Sequence, residues 1–279
     1  MPRQFQYYDK QSLSALTYDF IENAIKANSG EIAFYRTLAE RQGGPVLDVA
    51  AGTGRVTWLL AEAGYSVVGL DLSPAMLEQA EAKRARYPAE VGARVRLAQQ
   101  DMTAFDLGER FPLVIVAYRG FNHLLTSEQQ RAALQCLKRH MLPNGCLVLH
   151  MIEPSADLVA GHGSTGADTG GMQITQSRTG ETLHYRVLER RADPARQIIV
   201  NVIQYRVVRP NGGVVVETEE TLTYRWGTQQ ELRYLFELSG LAVETLHGDF
   251  QGGAPRPGKE QIWVLRHADP ATAKPDHTR

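Results

Sequence analysis

The apolar positions of the chain change period twice. Over residues 13 to 42, "LSALTYDFIENAIKANSGEIAFYRTLAERQ", they recur at helical spacing and are interrupted at "NSG", which predicts two helices. From Val46 short apolar runs take over, and "VLDV", "YSVVGLD", "RVRLAQQD", "LVIVAY" and "CLVLHMIE" each read as a short buried strand. Helical segments lie between them. Arg55 to Ala63 is one, stopped by Gly64, and Ser73-Pro74 provides the N-cap and first-turn proline of the next. Thr126 and Gln129 have the spacing of a capping box for a helix running to about Met141. Short apolar strands alternating with helices predict an α/β fold whose mainly parallel sheet is covered on both faces.

The second change follows Pro154. "ADLVAGHGSTGADTGG" is rich in Gly and Thr and reads as a loop, and residues 172 to 226 hold four runs rich in Val, Ile, Thr and Tyr. "RTGE", "ADPA" and "RPNGG" separate these runs with turn chemistry suited to hairpins, so an antiparallel insertion is predicted. A helix over 229–239 returns the chain to the first layer, with Thr228 and Glu231 as its capping box and Gly240 as its stop. "AVETLHGDF" and "QIWVLRH" are the last two strands, and "ADPATAKPDHTR" is a frayed tail.

Composition removes several classes of function. The 279 residues carry 30 Lys plus Arg against 31 Asp plus Glu, so no basic footprint favours nucleic acid. No apolar run is long enough for a signal peptide core or a bilayer span, which points away from membranes and toward a cytoplasmic protein. Cys136 and Cys146 lack metal or disulfide spacing, in keeping with a reducing compartment.

The chemistry gathers where the first strand breaks into Gly52-Thr-Gly54. A dinucleotide fingerprint needs a third glycine where Thr57 stands, and a P-loop needs a Gly-Lys-Ser or Gly-Lys-Thr that is missing. Asp48, just before the turn, would repel a pyrophosphate and suit an ammonium group. What remains is a phosphate-free nucleoside carrying an amino group. Asp71, roughly 20 residues beyond the turn and at a strand end, is placed to accept from two ribose hydroxyls.

These residues resemble the class I S-adenosylmethionine-dependent methyltransferases, in particular small bacterial members with a β-hairpin insertion, and the resemblance spans most of the chain. It implies a Rossmann-like, doubly wound seven-stranded sheet with an inserted antiparallel β subdomain. The implied organisation is a cap and cofactor-binding core over 1–156, an acceptor lid over 171–226, the rest of the core over 227–268 and a tail over 269–279. "LDVAAGTGR" is similar to the family's first motif, which implies Asp48 facing the methionine amino group, with Ala50 and the Gly52 and Gly54 backbone against S-adenosylmethionine. "GLDLSPAML" is similar to the second, implying Asp71 on the ribose and Leu72 against adenine. "QQDM" is similar to the third, implying Asp101 at the adenine amino group and Met102 on its ring. Arg55, Met76 and Tyr118 are implied as further cofactor contacts, and "YDFI" and "FYRTLAE" suggest Tyr18 and Tyr35 folding over it.

The acceptor side is thinner. "AYRGFNHLL" occupies the segment that lines the junction of cofactor and acceptor, which makes His123 the expected catalytic base, with an imidazole titrating near neutrality. Arg119 either orients an acidic acceptor or pairs with a neighbouring carboxylate. Arginines of the insertion, offset by Glu217, Glu219 and Glu220, read as a solvated face. Three departures from the family stand out: Ala50 for a glycine, Pro112 for the aspartate that opens the fourth strand, and His150 for an acidic residue ending the fifth. No Asn-Pro-Pro-Tyr or Asp-Pro-Pro-Tyr follows the fourth strand and no acidic cluster stands there for Mg²⁺. The expectation is metal-independent methyl transfer to oxygen or nitrogen of a small-molecule acceptor, with no oligomeric state assigned. A nicotinamide-dependent oxidoreductase and a non-catalytic S-adenosylmethionine-binding protein are the alternatives.

Overall fold

Val46–Val49 is buried at every position and forms β1, an inner strand of the larger of two sheets. The computed structural model describes residues 7–8, 12–26, 30–162, 171–175 and 179–268. Two helices, α1 (Leu13–Lys26) and α2 (Glu31–Gln42), precede β1. After it come α3 (Arg55–Glu62), β2 (Val67–Asp71), α4 (Pro74–Ala82), the short α5 (Ala89–Gly92), β3 (Val95–Gln99), β4 (Phe111–Val116), α6 (Ser127–Arg139) and β5 (Met141–Ile152). The caps read in the sequence form. Ser73 Oγ accepts from the Met76 N–H at 3.2 Å, and Thr126 with Gln129 closes a capping box.

The insertion is a separate four-stranded antiparallel sheet of β6 (Gly171–Thr175), β7 (Thr182–Asp193), β8 (Ile198–Val208) and β9 (Val214–Arg225). α7 (Gln229–Leu238), again with both halves of a capping box, then leads to β10 (Leu241–His247) and β11 (Glu260–His267). The large sheet has the order β10-β11-β5-β4-β1-β2-β3, with β11 antiparallel to both neighbours and the other pairings parallel. This is the doubly wound seven-stranded sheet expected. Alternate residues of the inner strands feed two cores, Leu47, Val114 and Leu149 on the side of α6 and α7, and Val46, Ile115 and Val148 on the side of α2 and α3. Cys136 and Cys146 are buried and free. No described helix is long and apolar enough to cross a membrane.

Some local expectations change. Ala156 to His162 is helical, ending in a π-helical turn, so the segment read as a loop begins with structure, and residues 163–170 lie outside the described part. β5 starts at Met141, before the expected Cys146, because Met141 pairs with Phe111. The β4–β5 register then shifts between Phe111 and Leu113, around Pro112, whose nitrogen has no hydrogen to give a ladder.

α1 joins the two sheets. Leu13 and Ile21 pack with Leu183, Val187, Ile203 and Tyr205 of the insertion, while Ala15 and Tyr18 meet Ala75 and Met76 of α4. Glu220, expected on a solvated face, instead accepts from the Leu13 N–H at 2.7 Å and the Ser14 N–H at 3.3 Å. A carboxylate there meets the free donors and positive end of the helix.

Trp263 of β11 is fully buried, edge-on to Phe236 of α7, with its indole N–H on Gln261 Oε1 at 3.0 Å. Trp263→Ala should cost about 3 to 5 kcal/mol of unfolding free energy. Urea denaturation checks this, and a loss below about 1 kcal/mol would mean that the β11–α7 contact carries little of the fold.

Candidate functional site

The loop after β1 is shaped by residues at positive φ, Ala50 at 56°, Gly52 at 59° and Gly54 at 73°. Asp71, at the end of β2, holds this loop from one side. Its Oδ2 accepts from the Gly52 N–H at 2.7 Å and its Oδ1 from the Ser73 N–H at 2.8 Å. The two oxygens are therefore not reserved for a ligand, although each keeps a second lone pair. Burial raises the Asp71 carboxyl, and these backbone bonds partly offset it.

Asp48 lies deeper. The carboxylate is fully buried, its Oδ2 accepts from the Thr57 hydroxyl at 2.6 Å, and its Oδ1 is buried with no hydrogen bond. Burial pushes this group up to about 7 against the pull of the Thr57 bond. The Thr57 that breaks the dinucleotide pattern thus has a task of its own, orienting Asp48.

A cavity of about 210 Å³ opens over this loop. From the expected contacts it brings together Asp48, Ala50, Gly52 and Arg55 of the first motif, Asp71, Leu72 and Met76 of the second, and Asp101 and Met102 of the third. Tyr18 enters from α1, and Tyr118 and His123 from the segment after β4. Gly54 does not line the cavity; it starts α3, and a side chain there would strike Trp58. Tyr35 is fully buried in the core beside Phe34 and Phe250, away from the cavity. Tyr8, Ser73, Gly120 and Gln129 line it as well. In the sequence Ser73 and Gln129 are marked only as caps, and Tyr8 precedes every recognisable motif.

Charge in the cavity is one-sided. Asp48, Asp71 and Asp101 stand against Arg55, whose guanidinium pairs at 2.6 Å with the buried Glu31. Such a lining repels phosphate and suits a nucleoside bearing an ammonium and a sulfonium. The orphaned Asp48 Oδ1 is an acceptor waiting for a donor of that kind. α1 is fastened above the site by Asp19, which accepts from the Thr53 hydroxyl at 2.6 Å and pairs with Lys83 at 2.7 Å.

The rim after β4 rests on His150. Its Nδ1 accepts from the Tyr118 N–H at 3.2 Å, which leaves Nε2 to donate to Glu260 at 3.0 Å. Glu260 also pairs with Arg119 at 2.6 Å, and burial that would raise it is outweighed by His150 and Arg119, which hold it at about 2. Of the two readings of Arg119, pairing with a carboxylate is the one realised. Tyr118 and Arg119 both sit at positive φ, 42° and 65°, a backbone this ladder supports.

His123 differs from expectation. It is edge-on to Tyr8 at 5.7 Å, and desolvation pushes its imidazole down to about 4, well below the neutral range. It stands between two cavities. The second, of about 150 Å³, lies between the rim and the insertion sheet, where Tyr7, Tyr185, Tyr205, Tyr224, Arg119 and Arg190 contribute to its walls. Tyr8, Tyr18, Tyr118 and His123 are common to both.

The methyltransferase domain family matches residues 46–145, the stretch that carries all three motifs. The dTDP-3-amino-3,6-dideoxy-alpha-D-glucopyranose N,N-dimethyltransferase of Streptomyces fradiae is 30% identical over 212 residues, 74% of this chain and 73% of that protein. The cypemycin N-terminal methyltransferase of a Streptomyces species is 25% identical over 250 residues, 88% of this chain and 91% of that one. Among solved structures, the CcbJ methyltransferase from Streptomyces caelestis superposes with a TM-score of 0.74 at 23% identity, covering 95% of this chain and 99% of its own, and so shares the fold. With the motifs, the cavity and the relatives in agreement, the chain belongs to the class I S-adenosylmethionine-dependent methyltransferases.

Proposed function

We propose that the enzyme methylates an amine nitrogen of a small molecule seated in the second cavity. The observation that carries this is His123, the one imidazole among the described residues that is shared by the two cavities, pushed down to about 4 by desolvation. A hydroxyl acceptor needs a base matched to neutral pH to take its proton as it attacks, and an imidazole this weak is a poor one. Tyr7 and Tyr205 in the same wall are raised by burial and stay protonated. A neutral amine brings its own lone pair. Both sequence relatives described above are named for methylation at nitrogen or of an amino sugar, which supports the same reading.

S-adenosylmethionine supplies, when bound, an electrophilic methyl on sulfonium sulfur. In this reading Asp48 pairs with the methionine ammonium, Asp71 accepts from the ribose, and Leu72, Asp101 and Met102 hold the adenine. Asp101 Oδ1 is occupied by the Thr103 N–H and hydroxyl, at 2.8 and 2.7 Å, so Oδ2 is the oxygen left for an amino group. His123 is neutral above pH 5 and can accept a hydrogen bond from the amine, orienting it rather than deprotonating it. The insertion sheet closes the acceptor side as a lid and excludes water.

Three outcomes follow from these roles. Asp71→Ala should weaken S-adenosylhomocysteine binding at least tenfold by calorimetry, since each hydrogen bond to a charged acceptor is worth about 1.5 to 3 kcal/mol. The same change should lower the melting temperature, because Gly52 and Ser73 lose their acceptor. Affinity within twofold of wild type would remove Asp71 from the cofactor site.

Asp48 must be ionised to pair with ammonium, and its carboxyl sits at about 7. Below that pH it is protonated, so affinity for S-adenosylhomocysteine should fall by about tenfold per pH unit from pH 7 downward and level off above. Asp48→Asn should flatten the curve. A wild-type affinity independent of pH between 5.5 and 8.5 would contradict the pairing.

For turnover, screening amine and alcohol libraries for a methyl gain by mass spectrometry should yield amine products. Their rates should rise with pH toward the acceptor's own pKa and move when that pKa is changed by fluorination. His123→Ala should lower turnover by about tenfold without altering the profile between pH 6 and 8. A neutral-pH limb lost in the variant would make His123 a general base and favour a hydroxyl acceptor.

A further inference from the structure

The second cavity contains no carboxylate among the described residues of its wall, yet it contains two guanidiniums, Arg119 and Arg190. Arg119 is balanced by Glu260, though its buried Nε–H has no partner among the described residues. Arg190 is not balanced. No described carboxylate lies within ion-pair distance of it. Its one polar contact among the described residues is from Nε to Asn201 Oδ1, at 2.8 Å.

That contact is built into the sheet. Arg190 on β7 and Asn201 on β8 are directly opposite in the antiparallel register, and Asn201 is buried at 5% exposure. Neighbouring arginines of the insertion behave otherwise, Arg191 pairing with Glu189 at 2.9 Å and Arg206 with Glu217 at 3.6 Å on the outer surface. A buried amide fixing Nε of an arginine orients the guanidinium plane and leaves both terminal nitrogens for something else. A partly desolvated cation with no countercharge is costly unless a ligand supplies one. The terminal N–H groups match a planar or tetrahedral oxyanion, which they can hold through two parallel bonds.

We propose that Arg190, held by Asn201, is a receptor for an oxyanion of the acceptor, a carboxylate or a phosphate, so that the enzyme's substrate is an amine that also carries an anionic group. The proposal rests on the reading of the second cavity as the acceptor site. Arg190 anchors the anion, the tyrosine rings enclose the body of the molecule, and the amine is presented toward His123 and the cofactor. Asn201 is a positioning residue, acting through Arg190.

The test uses the full chain saturated with S-adenosylhomocysteine and small probes titrated by calorimetry and ligand-observed NMR: benzoate, phenyl phosphate, and the neutral benzamide. Wild type should bind at least one anion ten times more tightly than benzamide, benzoate or phenyl phosphate being preferred according to which oxyanion the site was built for. Arg190→Gln should abolish that preference while S-adenosylhomocysteine affinity stays within twofold, which also shows that the variant folds. Arg190→Lys, retaining charge without the fork, should keep only part of it, and Asn201→Leu should behave like Arg190→Lys. Equal binding of benzamide and both anions to wild type would overturn the proposal, as would an anion preference that survives Arg190→Gln. Anion binding together with products methylated at oxygen would sustain the receptor and refute the amine reading, so the two fail separately.

Discussion

The loops that line the first cavity are held together by one carboxylate bonding to two backbones. Asp71 ends β2, and by accepting from Gly52 and Ser73 it locks the loop after β1 to the turn that begins α4. Parallel strands cannot place their C-terminal loops by ladder bonds alone, since those bonds stop where the strands stop. A side-chain acceptor at the strand end extends the constraint into the loops. Asp48 one strand over works differently, keeping one oxygen on Thr57 and one without a partner, at the cost of a carboxyl raised to about 7. One acid supports the architecture and the other carries an oxygen that the architecture does not use.

Around these two acids the molecule is arranged as two layers, the large sheet and the insertion sheet, whose cavities have a wall in common. α1 forms much of that wall, fastened to the first layer by Asp19 and to the second by Glu220 at its N-terminus. Tyr18 is delivered to both cavities because the helix lies between them. The burial that makes His123 a weak base arises from the same construction, since Tyr8 and the rim close around it.

The sequence made the first layer legible because its signals are local. Glycine turns, caps and strand-end acids act within a few residues of themselves, and Asp48 and Asp71 stand out from such a pattern, whereas Asp101 and Met102 stand out only through the likeness of "QQDM" to a family motif; all four line the first cavity. For Gly54 the sequence marks a backbone conformation and not the direction in which the residue faces, which is toward Trp58. Long-range partnerships were illegible. Glu260 reaches His150 and Arg119 from the far end of the chain, and Glu220 reaches α1 from β9. Whether an arginine of the insertion meets water or a cavity depends on which face of β7 it occupies and on what covers that face, and neither is written in the charge balance of the segment.

The departure at Ala50 has a counterpart elsewhere in the chain. Ala50 keeps its methyl at a φ that favours glycine, and a Cβ built on Gly120 would come within 2.8 Å of that methyl. The two positions, on loops after different strands, share room for a single carbon. Glycine at 120 is what lets alanine stand at 50, whereas a methyl at 120 would meet Val116 Cγ1 at 3.1 Å even with glycine at 50. In a set of related sequences the pair would vary jointly rather than independently, and in the laboratory their substitutions would be non-additive. The alanine that departs from the motif thus draws its room from a glycine in the segment after β4.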